Sequence, residues 1–333
     1  MSRQAARSEF LKARGWSSAK SVPLAGDASG RRYFRISQGD ATAILMDAPP
    51  EPETIEAFLT IDRHLLACGL SAPEILEAAP AQGLLLLEDF GDASFASRLD
   101  TGKNEADMAQ LYAAAIDVLA SLHTHAVPAG LTTYDTARLA DEAALFIDTW
   151  VAGRTDAEAD TTKLSEAHRS FRSAIGPAME AAWQVPAALS LRDFHAGNLM
   201  WLDDRTNLQR VGLLDFQDAL VAPVAYDMVS LLCDARHDLP EKLVESMITR
   251  YLAARPGVDP IRFQTSYAAL GVQRGLRIVG VFTRLAQRDG KPGYLVHLPR
   301  VWRQIAAHLT HPDLTALAAW LAEYAPERER ESG

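Results

Sequence analysis

Cysteine is almost absent: two thiols, Cys68 and Cys233, serve 333 residues. That excludes a disulfide scaffold and a cysteine-built metal centre, and both thiols are expected to be buried and free in apolar helical contexts. No apolar run approaches the roughly 18 residues that a membrane-spanning helix needs. The opening residues Met1 to Arg7 are polar and lack the apolar stretch of a signal peptide, so a cytoplasmic location is expected. Positive charge is in deficit, with 33 Lys and Arg against 43 Asp and Glu and a net charge of −10. Such a balance argues against nucleic acid or an anionic membrane as partner. Repeats and low-complexity tracts are also missing. What remains, 48% hydrophobic and 23% charged, is the composition of an ordinary globular protein with one large or two moderate domains.

Against that background one stretch stands out: Leu191-Arg192-Asp193-Phe194-His195-Ala196-Gly197-Asn198, followed by Leu214-Asp215-Phe216-Gln217-Asp218. In kinase chemistry, groups so spaced have distinct jobs. One carboxylate (Asp193) orients and deprotonates a substrate hydroxyl. An amide oxygen (Asn198) and a second carboxylate (Asp215) hold Mg²⁺ against nucleotide phosphates. Phosphoryl transfer depends mainly on positioning and charge neutralisation, so a few oxygen-bearing groups on rigid turns can define the reaction. Taken singly, Asp193 reads as a turn residue and Asp215 as a helix cap. The apolar flanks predict strands around 188–191, 199–202 and 211–214, joined at the Asp203-Asp204 turn, which would bring the three side chains to one end of a small sheet.

Upstream, Pro23 to Ile36 predicts a hairpin whose small-residue loop, Ala25 to Gly30, lays backbone N–H groups over phosphates, with Ser29 and Gly30 as the candidates. The G-x-G-x-x-G pattern is not there, and a plain hairpin turn is the simpler reading of this loop alone. A strand over Ala41 to Met46 and a helix over Thr54 to Cys68 follow. The run Leu84 to Leu87 then enters Glu88-Asp89-Phe90-Gly91. Its D-F-G match to a kinase metal motif is misleading, because it lies before the catalytic loop, where a two-lobed kinase has its hinge. Glu88 and Phe90 are therefore assigned to reading an adenine edge. Beyond it the pattern turns helical, opening at an Asn104 N-cap and continuing over 137–183, 226–235, 240–254, 260–288, 296–309 and 313–324.

These motifs resemble the aminoglycoside phosphotransferase/choline kinase superfamily. The likeness covers the loop at 25–30, the hinge at 87–91, the catalytic loop at 192–198, Asp215 and the segment Pro223 to Asp227. Within the superfamily the chain looks most like the anomeric sugar kinases of cell-wall recycling. That narrower match is carried by Ser29-Gly30-Arg31-Arg32-Tyr33, Met46 to Glu51, Leu191 to His195, Gln273-Arg274 and Arg288 to Lys291. The resemblance implies an α+β, protein-kinase-like bilobal fold. Residues 1–88 would form a small antiparallel sheet plus helix that covers the nucleotide, and 89–333 a large, mainly helical lobe that binds substrate. It also implies ATP and Mg²⁺ as cofactors and the C1 hydroxyl of N-acetylmuramic acid or N-acetylglucosamine as acceptor.

Two positions depart from the family pattern. Leu191 stands where a loop-bracing His is frequent, and Met46 stands where a third-strand Lys pairs with phosphates. The nearest cations are Arg31, Arg32 and Arg35. Arg32 is taken as the replacement, since strand alternation puts Arg31 and Tyr33 on the opposite face. Arg274 or Arg277 is expected to meet the lactyl carboxylate of N-acetylmuramic acid, because arginine suits bidentate carboxylate binding. His195 is expected near substrate or phosphate. Three other readings stay open: an aminoglycoside kinase using the acidic 137–183 segment, a choline- or homoserine-type kinase with Trp150, Trp183 or Trp201 as a cage, and a catalytically idle nucleotide binder.

Overall fold

The computed structural model describes residues 2–24, 30–48, 52–101, 105–154 and 161–326. They form two compact units, residues 1–118 with 196–219 and residues 119–195 with 220–333. Ser29 and Asn104 lie outside the described residues.

The first unit is built on a five-stranded antiparallel sheet of β1 (Lys20–Pro23), β2 (Arg32–Gln38), β3 (Ala41–Asp47), β4 (Ile75–Ala79) and β5 (Leu84–Leu87), in the order β1-β2-β3-β5-β4. Register decides which side chains share a face. Phe34 lies opposite Leu45, and Leu45 opposite Leu86. That face packs on Phe10 and Leu11 of α1 (Arg3–Ala13). Asp47 anchors the same helix, accepting from Arg3 Nε at 2.8 Å and Arg7 Nη1 at 2.6 Å. The other face carries Tyr33 opposite Met46, Arg35 opposite Ile44, and Ile44 opposite Leu87. Leu84 to Leu87 are buried on both faces, which is why they read as an unbroken apolar run instead of an alternation. On α2 (Pro52–Ala67), Phe58 packs its ring 4.9 Å from that of Phe216. The short helix α3 (Phe95–Thr101), most of α4 (Glu105–Leu122), and the ladder of β7 (Leu199–Trp201) with β8 (Val211–Leu213) complete the unit.

The second unit is mainly helical: α5 (Thr136–Phe146), α6 (Thr161–Ala182), α7 (Ala225–Leu232), α8 (Glu241–Ala254), α9 (Pro260–Arg288), α10 (Leu298–His308) and α11 (Thr315–Tyr324). The long helix α9 starts at Asp259, whose carboxylate accepts from Ile261 N–H at 2.9 Å and Arg262 N–H at 3.0 Å. A Cβ on Gly275 would meet the Ile305 side chain at 2.5 Å, and one on Gly280 would meet the Phe146 nitrogen at 2.7 Å. Close approach of α10 and α5 to α9 is what those glycines permit. The ladder of β6 (Ala187–Ser190) with β9 (Leu220–Pro223) also belongs here.

Two expectations are corrected. The strand before the Asp193 loop shares no ladder with the strand after it: β6 pairs with β9, and β7 with β8. Arg192, at φ 69°, and a 3-10 turn over Ala196–Asn198 redirect the chain between them. The 137–183 segment is not one helical stretch either. A π-turn at Ile147–Val151 and a 3-10 turn at Ala152–Arg154 end its first helix.

Candidate active site

In the first unit, the pocket face of the sheet borders a cavity of about 380 Å³. Leu24, Tyr33, Ile44, Leu87, Phe90 and Met200 make it largely apolar, and Asn198 and Asp215 are among its polar lining. A largely apolar cavity with a few polar groups suits a nucleobase and its phosphates. Two sequence candidates for metal, Asn198 and Asp215, are therefore brought to one cavity. The Leu214 N–H donates to the Asn198 carbonyl at 3.0 Å, tying their two turns together. Asp215 sits at φ 56°, a left-handed backbone that few non-glycine residues adopt and that concentrates at functional sites.

Support of the Asp215 carboxylate by Asp218 is expected from the sequence; Gln217 and Arg31 beside them are not. Gln217 Nε2 donates to its Oδ1 at 2.8 Å and to Asp218 Oδ2 at 3.2 Å. The guanidinium of Arg31 lies 3.7 Å from Asp215 Oδ1 and 3.8 Å from Asp218 Oδ2. Amide and carboxylate oxygens are donors that suit Mg²⁺, which takes one or two carboxylates and completes its shell with water and phosphate. Among the described residues no cluster of three or more His, Cys, Asp or Glu could hold a metal alone. The oxygen set at Asn198 and Asp215 fits a metal that arrives with its nucleotide.

The remaining candidates of this unit divide. Gly30 is described as a bend and is exposed. Phe90 lines the cavity, its ring so close to Gly212 that a Cβ there would lie 2.8 Å away. Glu88 also lines it, but its carboxylate is ion-paired with Arg205 and accepts from Glu74 N–H at 3.2 Å, while its own N–H donates to the Glu74 carbonyl at 2.9 Å. Asp89 accepts from Arg35 Nη2 at 3.1 Å and from Gly91 N–H at 2.9 Å, which accounts for its carboxylate without a metal. Arg32 is not brought to the cavity. It is exposed on the face of Phe34 and Ile36, whereas Tyr33 and Arg35 line the pocket. Tyr33 and Arg35, at odd positions of β2, line the cavity; alternation separates the two faces, but not which of them borders it.

In the second unit the loop bearing Asp193 is held from beneath. Asp227 on α7, buried in the core, accepts from Ser190 Oγ at 2.7 Å, Leu191 N–H at 2.7 Å and Arg192 N–H at 3.0 Å. Burial pushes its carboxyl up to about 6 even though those three bonds oppose it. Arg274 on α9 donates from Nη1 to the Arg192 carbonyl and to the Tyr226 hydroxyl, each at 3.2 Å, and its Nη2 lies 3.6 Å from Asp193 Oδ1. Arg274 thus faces this loop, which the sequence reading did not foresee. Leu191 braces the loop by packing, being 2% exposed.

Asp193 itself is one-third exposed. Burial would raise its pKa, but Arg274, Arg277, His195 and Arg192 outweigh it and hold the carboxyl below its ordinary value. It is ionised at neutral pH, as a proton acceptor must be. His195 is held below its ordinary value by burial, and nearby Arg236 and Arg274 oppose the pull of Asp234 and Asp193. Glu142 collects a dense set of donors: Arg192 at 2.7 Å, Arg277 at 2.9 Å, Arg138 at 3.2 Å and the Tyr134 hydroxyl at 2.6 Å. The tryptophans considered for a cage are packing residues. Trp150 packs tilted against Trp302 with ring centroids 5.1 Å apart, Trp201 lies 6.0 Å from Phe95, and Trp183 Nε1 donates to the Tyr134 carbonyl.

A small antiparallel sheet with a nucleotide-sized slot, and a helical unit carrying a braced Asp loop, define a phosphotransferase of protein-kinase-like fold. The chain belongs to the phosphotransferase enzyme family, whose model matches residues 20–262. It is 36% identical to the N-acetylmuramate/N-acetylglucosamine kinase of Caulobacter vibrioides, over 98% of each chain. The protein of the same description from Pseudomonas aeruginosa is 34% identical, over 94% of this chain and 92% of that one. The fold is also that of an ADP-bound aminoglycoside phosphotransferase, with a TM-score of 0.62 at 12% identity over 90% of this chain and 97% of that structure. Among the described residues no helix is long and apolar enough to cross a membrane.

Proposed function

We propose that this protein is an ATP- and Mg²⁺-dependent kinase that transfers the γ-phosphoryl group to the anomeric C1 hydroxyl of N-acetylmuramic acid, N-acetylglucosamine or both, with a role in cell-wall sugar recycling in the cytoplasm. The observation that carries this reading is the similarity, over almost the whole chain, to proteins described as N-acetylmuramate/N-acetylglucosamine kinases. An acceptor set transfers between relatives more safely when the match spans substrate-binding and nucleotide-binding segments alike, as it does here.

In the mechanism we propose, Asp193 accepts the proton of the sugar hydroxyl as its oxygen attacks the γ-phosphorus. The bond from that phosphorus to the bridging oxygen breaks, and ADP leaves with the electron pair. Asn198 and Asp215 would hold Mg²⁺, which would supply charge neutralisation for the phosphates. Gln217 fixes the Asp215 carboxylate by donating to Oδ1 at 2.8 Å. Residues 1–88 supply the cover of the nucleotide and 89–333 the acceptor site. Ser29 and Gly30 approach phosphate, and Glu88 to Phe90 border adenine. The ionised state of Asp193 and the apolar slot beside Asp215 support these roles.

The test is Mg²⁺-ATP-dependent ADP release against N-acetylmuramic acid, N-acetylglucosamine, glucose, kanamycin, choline and homoserine. Turnover with the two amino sugars and little with the rest is expected. Turnover confined to kanamycin or choline would keep the phosphotransferase and overturn the acceptor.

A further inference from the structure

A kinase that has Met46 in place of the strand lysine must find another cation for the nucleotide phosphates. We propose that Arg31 is that cation, so that phosphate charge is met from the end of β2 and not from β3. This inference rests on the reading of Asp215 as the nucleotide-side metal ligand.

Strand geometry comes first. Tyr33 and Arg35 both line the cavity, and side chains two apart on a strand share a face. Arg31 lies just before β2, two residues from Tyr33, and its guanidinium reaches towards Asp215, itself a lining residue of the cavity. Tyr33 is registered against Met46, which places Arg31 one step beyond the usual lysine position, towards the Asp215 end of the slot.

The neighbouring cations have other work. Arg35 is engaged by Asp89 at 2.8 Å and Asp92 at 2.9 Å, at the hinge end of the cavity. Arg32 lies on the opposite face, and Arg205 is ion-paired with Glu88. Arg31 is 8% exposed, and its guanidinium lies 3.7 Å from Asp215 Oδ1 and 3.8 Å from Asp218 Oδ2. Those separations are too long for direct hydrogen bonds, so both ion pairs are loose. A divalent cation at Asp215 would compete with Arg31 for that carboxylate. The planar guanidinium fork matches phosphate oxygens in pairs, a geometry that the ammonium of lysine lacks. Arg31 therefore serves as counter-charge to Asp215 and Asp218 without nucleotide, and as phosphate ligand once a metal neutralises them.

The experiment is calorimetric titration of the parent, Arg31→Gln and Arg31→Lys with adenosine, ADP and ATP, each with Mg²⁺. Arg31→Gln is expected to bind ADP and ATP roughly 30-fold more weakly while adenosine affinity stays unchanged. Arg31→Lys is expected to weaken ADP about threefold or more, again without loss of adenosine, and decides the matter if the glutamine variant does not fold. ADP affinity in either variant within twofold of the parent, or parallel loss of adenosine and ADP, overturns the proposal. A parent that binds no nucleotide at all would instead overturn the kinase reading on which it rests.

Discussion

The Arg274 guanidinium lies 3.6 Å from Asp193 Oδ1 while donating to the carbonyl of Arg192. One side chain thus holds both the charge of the proposed base and the backbone beside it. Arg192 is in the left-handed region, at φ 69°, a conformation that must be held by its surroundings. Asp227 holds the two preceding N–H groups, and Arg274 holds the carbonyl that follows.

If Arg274 acts through that loop, Arg274→Met should lower kcat for N-acetylmuramic acid and N-acetylglucosamine alike, by roughly ten- to a hundredfold. Removing the neighbouring cation should also raise the pKa of Asp193, which is now held down chiefly by Arg274 against burial. The acidic limb of the kcat/KM profile must then move to higher pH, because the base has to be ionised. A limb that stays in place, or a loss confined to N-acetylmuramic acid, would return Arg274 to the role of carboxylate reader.

Asp193→Asn should cut turnover roughly a thousandfold or more and leave ADP binding intact. Asp215→Ala should do the reverse to binding, removing the Mg²⁺-dependent part of nucleotide affinity. Near-normal turnover in the first variant, or unchanged affinity in the second, would refute the role assigned to that residue.

Gly212 keeps the base slot open for Phe90. A Cβ there would lie 2.8 Å from two carbons of the Phe90 ring and 3.1 Å from Met200 Cβ, and both residues line the cavity. Gly212→Ala should therefore cost about 1–3 kcal/mol of stability through overpacking. Adenosine affinity should fall about tenfold with it. Denaturant unfolding and adenosine titration measure the two effects, and an unchanged slot would show in both.

Asp62 on α2 is fully buried, and neither carboxylate oxygen has a hydrogen-bond partner among the described residues. Burial pushes its pKa up from 3.8 to about 7 against the pull of Arg63. Between those values the unfolded chain has released this proton while the folded chain keeps it, so stability falls as pH rises from about 4 to about 7. The whole loss is reached above that range and amounts to no more than roughly 4 kcal/mol. Asp62→Leu should be more stable than the parent at pH 8, with the advantage shrinking towards pH 5. An advantage independent of pH would show that Asp62 is not the titrating group.

Local chemistry made much of this protein readable from its residues. The Asp193 to Asn198 loop, Asp215, the apolar run at Leu84 to Leu87 and the helix cores at 240–254 and 260–288 all carry signals within a few neighbours. The misplaced features depend on partners distant in sequence. Strand alternation shows that Arg31 and Arg32 face opposite ways, but only the seating of α1 against Phe34 and Ile36 shows which face is the pocket. The partner of β6 is a four-residue strand ending in Pro223, too short to read alone. Arg274 reads as one of several cations clustered on an otherwise apolar helix until the carbonyl of Arg192 and the hydroxyl of Tyr226 are seen beside it.

Transfer to the anomeric hydroxyl leaves its mark in the position of the phosphate on the product. Incubation with Mg²⁺-ATP and N-acetylmuramic acid, followed by ³¹P NMR, should give a signal coupled to the anomeric proton and lost on mild acid treatment. An acid-stable signal coupled to the C6 protons, or none above the Asp193→Asn background, would contradict it.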